Sequence, residues 1–207
     1  MTLLLSELKL GLKSVFLAAT IALGASQSHA SDLIKGFYFD VDFGAGATVM
    51  TTNSSLVPVP KVFLGFTGSA ELCQSNAITF DICGGVSTFQ PLGTPQKVTT
   101  VGTITTTVDA DMSAMNAYAK FRKRGLGFAI APYFGLGNVK SSYKTTTLGF
   151  TTLSEKNSKV MFAGIEIERK ILLTNFVISL KAEAGSAIKK SDDTKYYSFK
   201  PSIKARF

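Results

Sequence analysis

The sequence lacks the residues on which most catalytic sites depend. It contains no tryptophan and a single histidine, His29, which lies within the first thirty residues. Without that segment the chain has no imidazole, which excludes Ser-His-Asp and Cys-His catalysis and zinc held by histidine. The chain also has no glycine-rich phosphate loop, no zinc-ligand spacing and no nucleophile elbow. We therefore expect no enzyme activity, no catalytic or metal site and no bound cofactor.

Charge and long apolar runs are scarce as well. Charged residues make up 17% of the chain, against about 25% in typical soluble domains. The net charge of +8 is scattered without a basic run or helical stripe, so we expect no nucleic-acid partner. After residue 31 no apolar run approaches the ~20 residues of a transmembrane helix. The chain is therefore either soluble after export or meets a membrane as a closed barrel, because unpaired backbone groups cannot face lipid.

The first thirty residues follow the plan of a secretory signal peptide. Two lysines precede a short apolar run, Val15–Leu23, and small residues occupy the positions three and one before the expected cut. This plan predicts cleavage between Ala30 and Ser31. Residues 1–30 are thus assigned as the signal peptide, and residues 31–207 as one domain.

The rest of the chain alternates between apolar and polar residues with a period of two, which predicts strands rather than helices. In the first segment, Phe37, Phe39 and Phe43 share one face while Asp40 and Asp42 share the other. One segment changes phase near residues 113–114, and this change predicts a β-bulge there. The alternating segments are residues 36–50, 61–72, 77–82, 105–121, 127–137, 161–168, 176–184 and 196–207.

The connections between these eight segments alternate in character. One set is polar and mostly long: residues 51–58, 89–103, 141–158 and 190–194. The other set is short: residues 73–76, 122–125 and 170–174. Long loops on one side and tight turns on the other are typical of outer-membrane barrels, whose long loops face outside. Scattered lysines in the long loops suit weak contacts with anionic surfaces: Lys97, Lys140, Lys144 and Lys156.

The composition of the two faces predicts which one lies inside. The apolar face is almost free of charge, as a lipid-facing band must be, and the polar face is rich in small residues that fit a narrow lumen. A soluble lipocalin-like carrier would turn these faces the other way. We therefore predict an all-β fold, an eight-stranded antiparallel up-and-down transmembrane β-barrel.

Closure of this barrel sets the first strand antiparallel to the last. Asp40 and Asp42 should then meet Lys200, Lys204 and Arg206, because an unpaired buried charge is costly. We expect the rings of Tyr38, Tyr118, Tyr133 and Tyr196 to join these charges in the lumen. The predicted lumen ion-pair network comprises Asp40, Asp42, Glu166, Glu168, Lys181, Glu183, Lys200, Lys204 and Arg206.

The two cysteines, Cys73 and Cys83, leave a disulfide open. Export permits a bridge between them. A tight turn around residues 75–76, however, would leave Cys83 several residues up the next strand, beyond the ~7 Å that a bridge can span between Cα atoms. The pattern therefore weighs slightly against the bridge.

Three stretches carry a family resemblance. "GFYFDVDFGAG" at residues 36–46, "MNAYAKF" at 115–121 and "APYFGLG" at 131–137 resemble small eight-stranded outer-membrane proteins of the opacity and OmpA-like barrel group. More narrowly, they resemble the major surface antigens of rickettsia-like intracellular bacteria. The alternating apolar residues of the last segment resemble the insertion signal read by the barrel-assembly machinery: Tyr197, Phe199, Ile203 and Phe207.

The resemblance implies a function as well as a fold. It implies a non-enzymatic surface antigen or structural barrel in a bacterial outer membrane, with adhesion to host surfaces through its outer loops. The implied partners are outer-membrane lipid, the barrel-assembly machinery and host surface molecules. Two other functions stay open at this point: a narrow porin-like channel, and an exported soluble lipocalin-like carrier.

Overall fold

The computed structural model describes residues 36–51, 62–76, 80–125, 127–171 and 174–207. The predicted signal peptide, residues 1–30, and its cleavage position between Ala30 and Ser31 lie outside the described residues. Within the described ranges, no helix is long and apolar enough to cross a membrane.

Antiparallel strands make up nearly all of the described chain. They form one sheet in the order β3-β2-β1-β9-β8-β7-β6-β5-β4, and an added pairing of β3 with β5 closes it into a ring. The first and last strands, β1 and β9, are antiparallel neighbours as predicted. The strands are β1 (Phe37–Thr51), β2 (Val62–Asn76), β3 (Phe80–Pro91), β4 (Gln96–Val101), β5 (Ile104–Arg124), β6 (Ala129–Thr147), β7 (Phe150–Lys170), β8 (Phe176–Ala187) and β9 (Lys195–Arg206).

The strand β4 does not add a ninth position to the ring. β3 pairs with residues 114–123 of β5, and β4 pairs with residues 104–109 of the same strand. The two short strands therefore lie one after the other along a single edge of β5. The ring has eight positions, which confirms the predicted eight-stranded barrel.

The predicted loops at residues 89–103 and 141–158 are wrong in large part, because both stretches are mostly strand. β6 and β7 continue through residues 141–158 and meet at a two-residue turn, Leu148–Gly149. These stretches are rich in threonine, so both faces of each strand are polar and the alternation of apolar and polar residues is lost. The β-branched threonines nevertheless favour strands. We call the projecting part the outer extension: β4, residues 104–112 of β5, residues 140–147 of β6 and residues 150–159 of β7.

The outward face of the ring carries exposed large apolar side chains on every strand. A water-soluble barrel would bury such a band, whereas hydrocarbon accommodates it. The predicted assignment of the apolar face to the outside is therefore confirmed. Representative members are Phe43, Leu64, Phe66, Val86, Met115, Phe134, Leu136, Ile165, Ile178, Phe199 and Ile203.

The predicted bulge near residues 113–114 is absent from β5. The β5–β6 register runs without a break from Met112↔Ser141 through Ala114↔Val139. The same face of β5 points inward throughout, but its inward residues are apolar in the outer part of the lumen and polar in the inner part. This change in the lining produces the phase change in the sequence. The buried apolar cluster of the outer part includes Met50, Phe63, Phe89, Ala110, Met112, Val139, Val160, Phe162 and Tyr196.

Inward-facing glycines make room for aromatic rings in the lumen. Gly164 lies opposite Tyr133, and a Cβ added to it would approach within 2.5 Å of the Tyr133 Cζ and 2.6 Å of the Ala182 carbonyl oxygen. Gly185 lies opposite Tyr196, where a Cβ would meet Cε1 at 2.2 Å. The rings therefore lie across positions that any other side chain would occupy.

Replacing Gly164 with alanine should lower the free energy of unfolding by about 1–3 kcal/mol, the usual cost of overpacking. The Ala182 carbonyl belongs to the sheet and has little freedom to move away. Urea unfolding of the detergent-folded protein, followed by gel mobility without heating, measures the change. Gly84→Ala is the control, because no atom outside the glycine and its two chain neighbours lies within 4 Å of its added Cβ. Equal midpoints for the two variants would contradict the packing described above.

Candidate functional site

The seam between β1 and β9 places the first predicted ion pair. Asp40 is the register partner of Arg206. The guanidinium of Arg206 donates from Nε to Asp40 Oδ1 and from Nη2 to Oδ2, both at 2.9 Å. This two-pronged geometry is the strongest form of the pair and fixes the orientation of both groups. The structure thus places this pair where the sequence predicted it.

Lys204 is the register partner of Asp42 as predicted, but neither Lys204 nor Lys200 forms an ion pair with that carboxylate. Asp42 accepts hydrogen bonds from Lys181 Nζ at 2.6 Å and Ser202 Oγ at 3.1 Å. Lys204 instead donates to Glu168 at 2.7 Å, and Lys200 donates to Glu183. The long stem of Lys204 explains its partner, because it carries the ammonium group past β8 to β7. Lys200 reaches only the neighbouring strand β8, which holds Glu183.

The centre of the lumen is built on residues that the sequence analysis omitted. Lys120 Nζ contacts Glu71 and lies 2.7 Å from Glu166 Oε2. Arg122 Nη2 lies 2.9 Å from Asp40 Oδ2 and 2.7 Å from Glu168 Oε1. Lys120, Arg122 and Glu71 are completely buried. Lys120 and Glu71 lie on the polar faces of their alternating segments, so the signal for them was available. Arg122 falls in the predicted short connection, residues 122–125, which begins too early because β5 runs to Arg124.

The charges inside the barrel balance. The described inward-facing charges include seven carboxylates and seven cations, so the set carries no net formal charge. Buried ions are tolerated when paired and hydrogen-bonded, and are costly when one partner is missing. We call this set the lumen network: Asp40, Asp42, Glu71, Asp81, Glu166, Glu168 and Glu183 with Lys120, Arg122, Arg124, Lys181, Lys200, Lys204 and Arg206.

Three acids of the lumen network have the spacing of a metal site. One carboxylate oxygen from each of Glu71, Glu166 and Glu168 lies within 4.8 Å of the others. Lys120 and Lys204 contact all three acids. The ammonium groups of these two lysines therefore already neutralise the carboxylates that would bind a metal ion.

Tyrosines donate hydrogen bonds to three acids of the lumen network. Tyr118 donates to Glu71 at 2.7 Å, and Tyr133 donates to Glu183 at 3.1 Å. Tyr38 donates to Asp81 at 2.6 Å, and the Arg206 guanidinium lies over its ring, 4.7 Å from the centroid. The fourth predicted ring, Tyr196, lies in the apolar outer part of the lumen instead.

The lumen leaves little free space among these side chains. A cavity of about 10 Å³ lies at its middle, lined by Thr67, Ser87, Tyr118, Tyr133, Glu166, Lys181, Glu183 and Lys200. A space of that size accommodates about one water molecule. Between this cavity and the outer extension, the lumen is occupied by the buried apolar cluster.

The cysteines are joined, and the predicted turn at residues 75–76 was placed too early. β2 and β3 meet at Asn76↔Phe80, so Cys73 and Cys83 are direct register partners. Their Cα atoms are 4.0 Å apart and their sulfurs form a disulfide. Directly opposed residues of antiparallel strands have Cα atoms about 4.5–5.5 Å apart, within the ~7 Å that a bridge can span. The distance argument against the bridge therefore fails once the turn moves.

The β8–β9 loop braces the base of the outer extension. Lys156 of β7 lies 2.8 Å from Asp192, and Ser158 shares a hydrogen bond of 3.2 Å with Thr194. Partial burial would raise the pKa of Asp192, but hydrogen bonds from Lys156 and Thr194 outweigh it and hold that pKa well below its usual range. The carboxylate therefore stays ionised at neutral pH and keeps the loop attached.

Replacing Lys120 with methionine should lower the free energy of unfolding by about 3–5 kcal/mol, because the acids around it lose their shared cation. Urea unfolding by gel mobility measures the loss. Lys123→Met is the matched control, since Lys123 is exposed on the same strand. Adding Glu166→Gln to Lys120→Met should restore part of the stability by removing the excess negative charge. Equal midpoints for the Lys120 and Lys123 variants would contradict the lumen network.

The protein unfolded without reductant should show no free thiol, because both cysteines form the disulfide. Labelling with a thiol reagent, followed by intact-mass measurement, tests this. Reduction before labelling should then add two labels. Two labels without reduction would show that the disulfide is not formed.

No protein-family model and no curated protein matches the sequence of this chain. Its structure, however, is similar to several solved structures. Ail, the attachment invasion locus protein of Yersinia pestis, solved with the heparin analogue sucrose octasulfate, is 14% identical over 83% of this chain and 99% of its own, with a TM-score of 0.58. A second Ail structure is 16% identical over the same shares, with a TM-score of 0.53.

A major outer membrane protein from Thermus thermophilus is 10% identical over 81% of this chain and 99% of its own, with a TM-score of 0.52. At these identities the likeness is one of fold. The chain has the fold of the small outer-membrane β-barrels.

Proposed function

We propose that this chain is a non-enzymatic surface protein of a bacterial outer membrane. One observation carries the proposal: a band of exposed apolar side chains encircles a lumen filled with paired charges. The band belongs in hydrocarbon, and the filled lumen belongs to a barrel that acts through its outer surface. The outer extension is then the part that contacts other molecules, including those of a host surface.

The predicted targeting segments support this location. Residues 1–30 have the plan of a signal peptide that directs export. Tyr197, Phe199, Ile203 and Phe207 lie exposed on the outward side of β9 and its end. Phe207 also exchanges backbone hydrogen bonds with Phe39 across the seam, at 2.8 and 3.0 Å. This placement supports their recognition by the barrel-assembly machinery before the seam closes.

The other two functions receive less support. A channel needs a continuous aqueous path along the barrel axis. The described lumen instead contains paired charges in its inner part and an apolar cluster in its outer part. A soluble lipid carrier needs an apolar cavity inside and a polar surface outside, and this chain has the opposite arrangement of exposed faces.

Expression with residues 1–30 intact should place the protein in the outer-membrane fraction. The unheated sample should migrate differently from the boiled one, because a folded barrel binds less detergent than the unfolded chain. Planar bilayers should show no steady conductance, with a known porin as the positive control. Native protein in the soluble periplasmic fraction would defeat the proposal, and steady conductance steps would favour the channel.

A further inference from the structure

The far end of the β6–β7 hairpin combines two unfavourable choices. Its turn has positive φ at both central residues, 51° at Leu148 and 81° at Gly149. Such turns favour asparagine or glycine at the first position, and a leucine there costs stability. Leu148 is 68% exposed and the next apolar residue, Phe150, is 81% exposed. Strain combined with exposed apolar surface points to function rather than folding.

The neighbouring hairpin adds two more apolar side chains to the same place. Val101 and Ile104 flank the β4–β5 turn as register partners and are 75% and 44% exposed. Thr106 of β5 is opposite Thr147 of β6, which is opposite Phe150 of β7, so these three side chains lie on one face of the sheet. Ile104 precedes Thr106 by two residues and therefore lies on the same face as Phe150. We call this group the tip patch: Val101, Ile104, Leu148 and Phe150.

The tip patch lies far from the membrane that holds the barrel. β8 pairs with β7 only as far as Val160↔Ala187, and β7 extends ten residues beyond that point to its first residue, Phe150. Ten residues of strand span roughly 33 Å. The protein's own bilayer therefore does not explain these apolar side chains.

The surroundings of the tip patch are free of charge. Residues 98–107 and 145–154 contain no Asp, Glu, Lys or Arg. The nearest charges on β5 and β6, Asp109 and Lys144, are register partners, and Gln96 also donates to Asp109 at 2.7 Å. The remaining positions are mostly threonines, whose hydroxyls can hydrogen-bond to lipid headgroups. Such an end can enter the headgroup region without removing any charge from water, which would be costly.

We propose that the tip patch inserts into the surface of an apposed lipid bilayer. This inference rests on the proposed function, because an outer-membrane barrel presents the outer extension towards the membrane of another cell. Apolar side chains on two hairpin ends supply the burial, and the threonine collar supplies hydrogen bonds at the boundary. A sheet of continuously paired strands, β4 to β7, holds the patch out, so binding needs no folding step.

The absence of tryptophan from the chain provides a direct test. Phe150→Trp places the only tryptophan of the variant in the tip patch, and its emission is excited selectively over that of the tyrosines. The protein is held in nanodiscs of ordinary lipid and mixed with phosphatidylcholine vesicles that carry brominated acyl chains. We expect a blue shift and at least twofold quenching of the tryptophan emission. Leu92→Trp is the matched control, since Leu92 is 56% exposed in the β3–β4 connection, away from the tip patch, and should show neither change.

A second variant separates binding from folding. Asparagine tolerates positive φ, so the Leu148→Asn/Phe150→Ser variant should unfold at the same or a higher urea concentration than the parent. Its nanodiscs should co-float with plain phosphatidylcholine vesicles at least tenfold less. Unchanged flotation, or equal quenching at positions 150 and 92, overturns the inference. Binding of a protein or polysaccharide by the tip patch without lipid contact overturns it too.

The same samples distinguish the two levels of failure. If the unheated gel mobility and the membrane fraction are those of a barrel but vesicles do not bind, the inference fails and the proposed function stands. If the protein is found in the soluble fraction, the proposed function fails, whatever the vesicles show.

Discussion

Charge inside a narrow barrel must be neutralised there, and the rest of this structure depends on that constraint. An eight-stranded ring leaves space for side chains and little for water, so each ion is solvated by its neighbours. The lumen network draws charges from every strand of the ring except β6, and β6 contributes Tyr133, which donates to Glu183. Several ion pairs therefore join strands that are not adjacent in the sheet, such as β5 with β1 and β9 with β7, which backbone pairing alone cannot do.

The lumen is divided along its axis, and each part stabilises the barrel differently. The inner part holds the ion pairs and the disulfide, with Arg122 3.7 Å from the sulfur of Cys73. The outer part is apolar and well packed, with rings such as Phe162 and Tyr133 6.2 Å apart in an edge contact. Only β4 to β7 continue into the outer extension, so a charge buried beneath it would have fewer strands from which to draw an ion-pair partner. Apolar packing at that end avoids this problem. A closed, rigid base follows from the two parts together.

The sequence predicts what repeats along a strand and fails where the answer depends on distance across the lumen. Alternation was sufficient for the ring, its two faces and the pairing of Asp40 with Arg206, because these follow from register. It could not pair Lys204 with Glu168, since that contact depends on side-chain reach between β9 and β7. It missed the outer extension because the period-two signal vanishes when both faces face water. It misplaced the turn beside Cys73 because the apolar alternation continues through the turn.

The division between base and extension also explains how a strained turn survives at Leu148. The β6–β7 pairing is continuous from Ala129↔Glu168 to Thr147↔Phe150, and only its lower half also belongs to the ring. The long ladder fixes the turn residues whatever their own preference, so the strain is borne locally. Removing it relieves the turn without touching the lumen network, which lies at the other end of the same strands. The residues of the tip patch can therefore change without loss of the lumen network that stabilises the barrel.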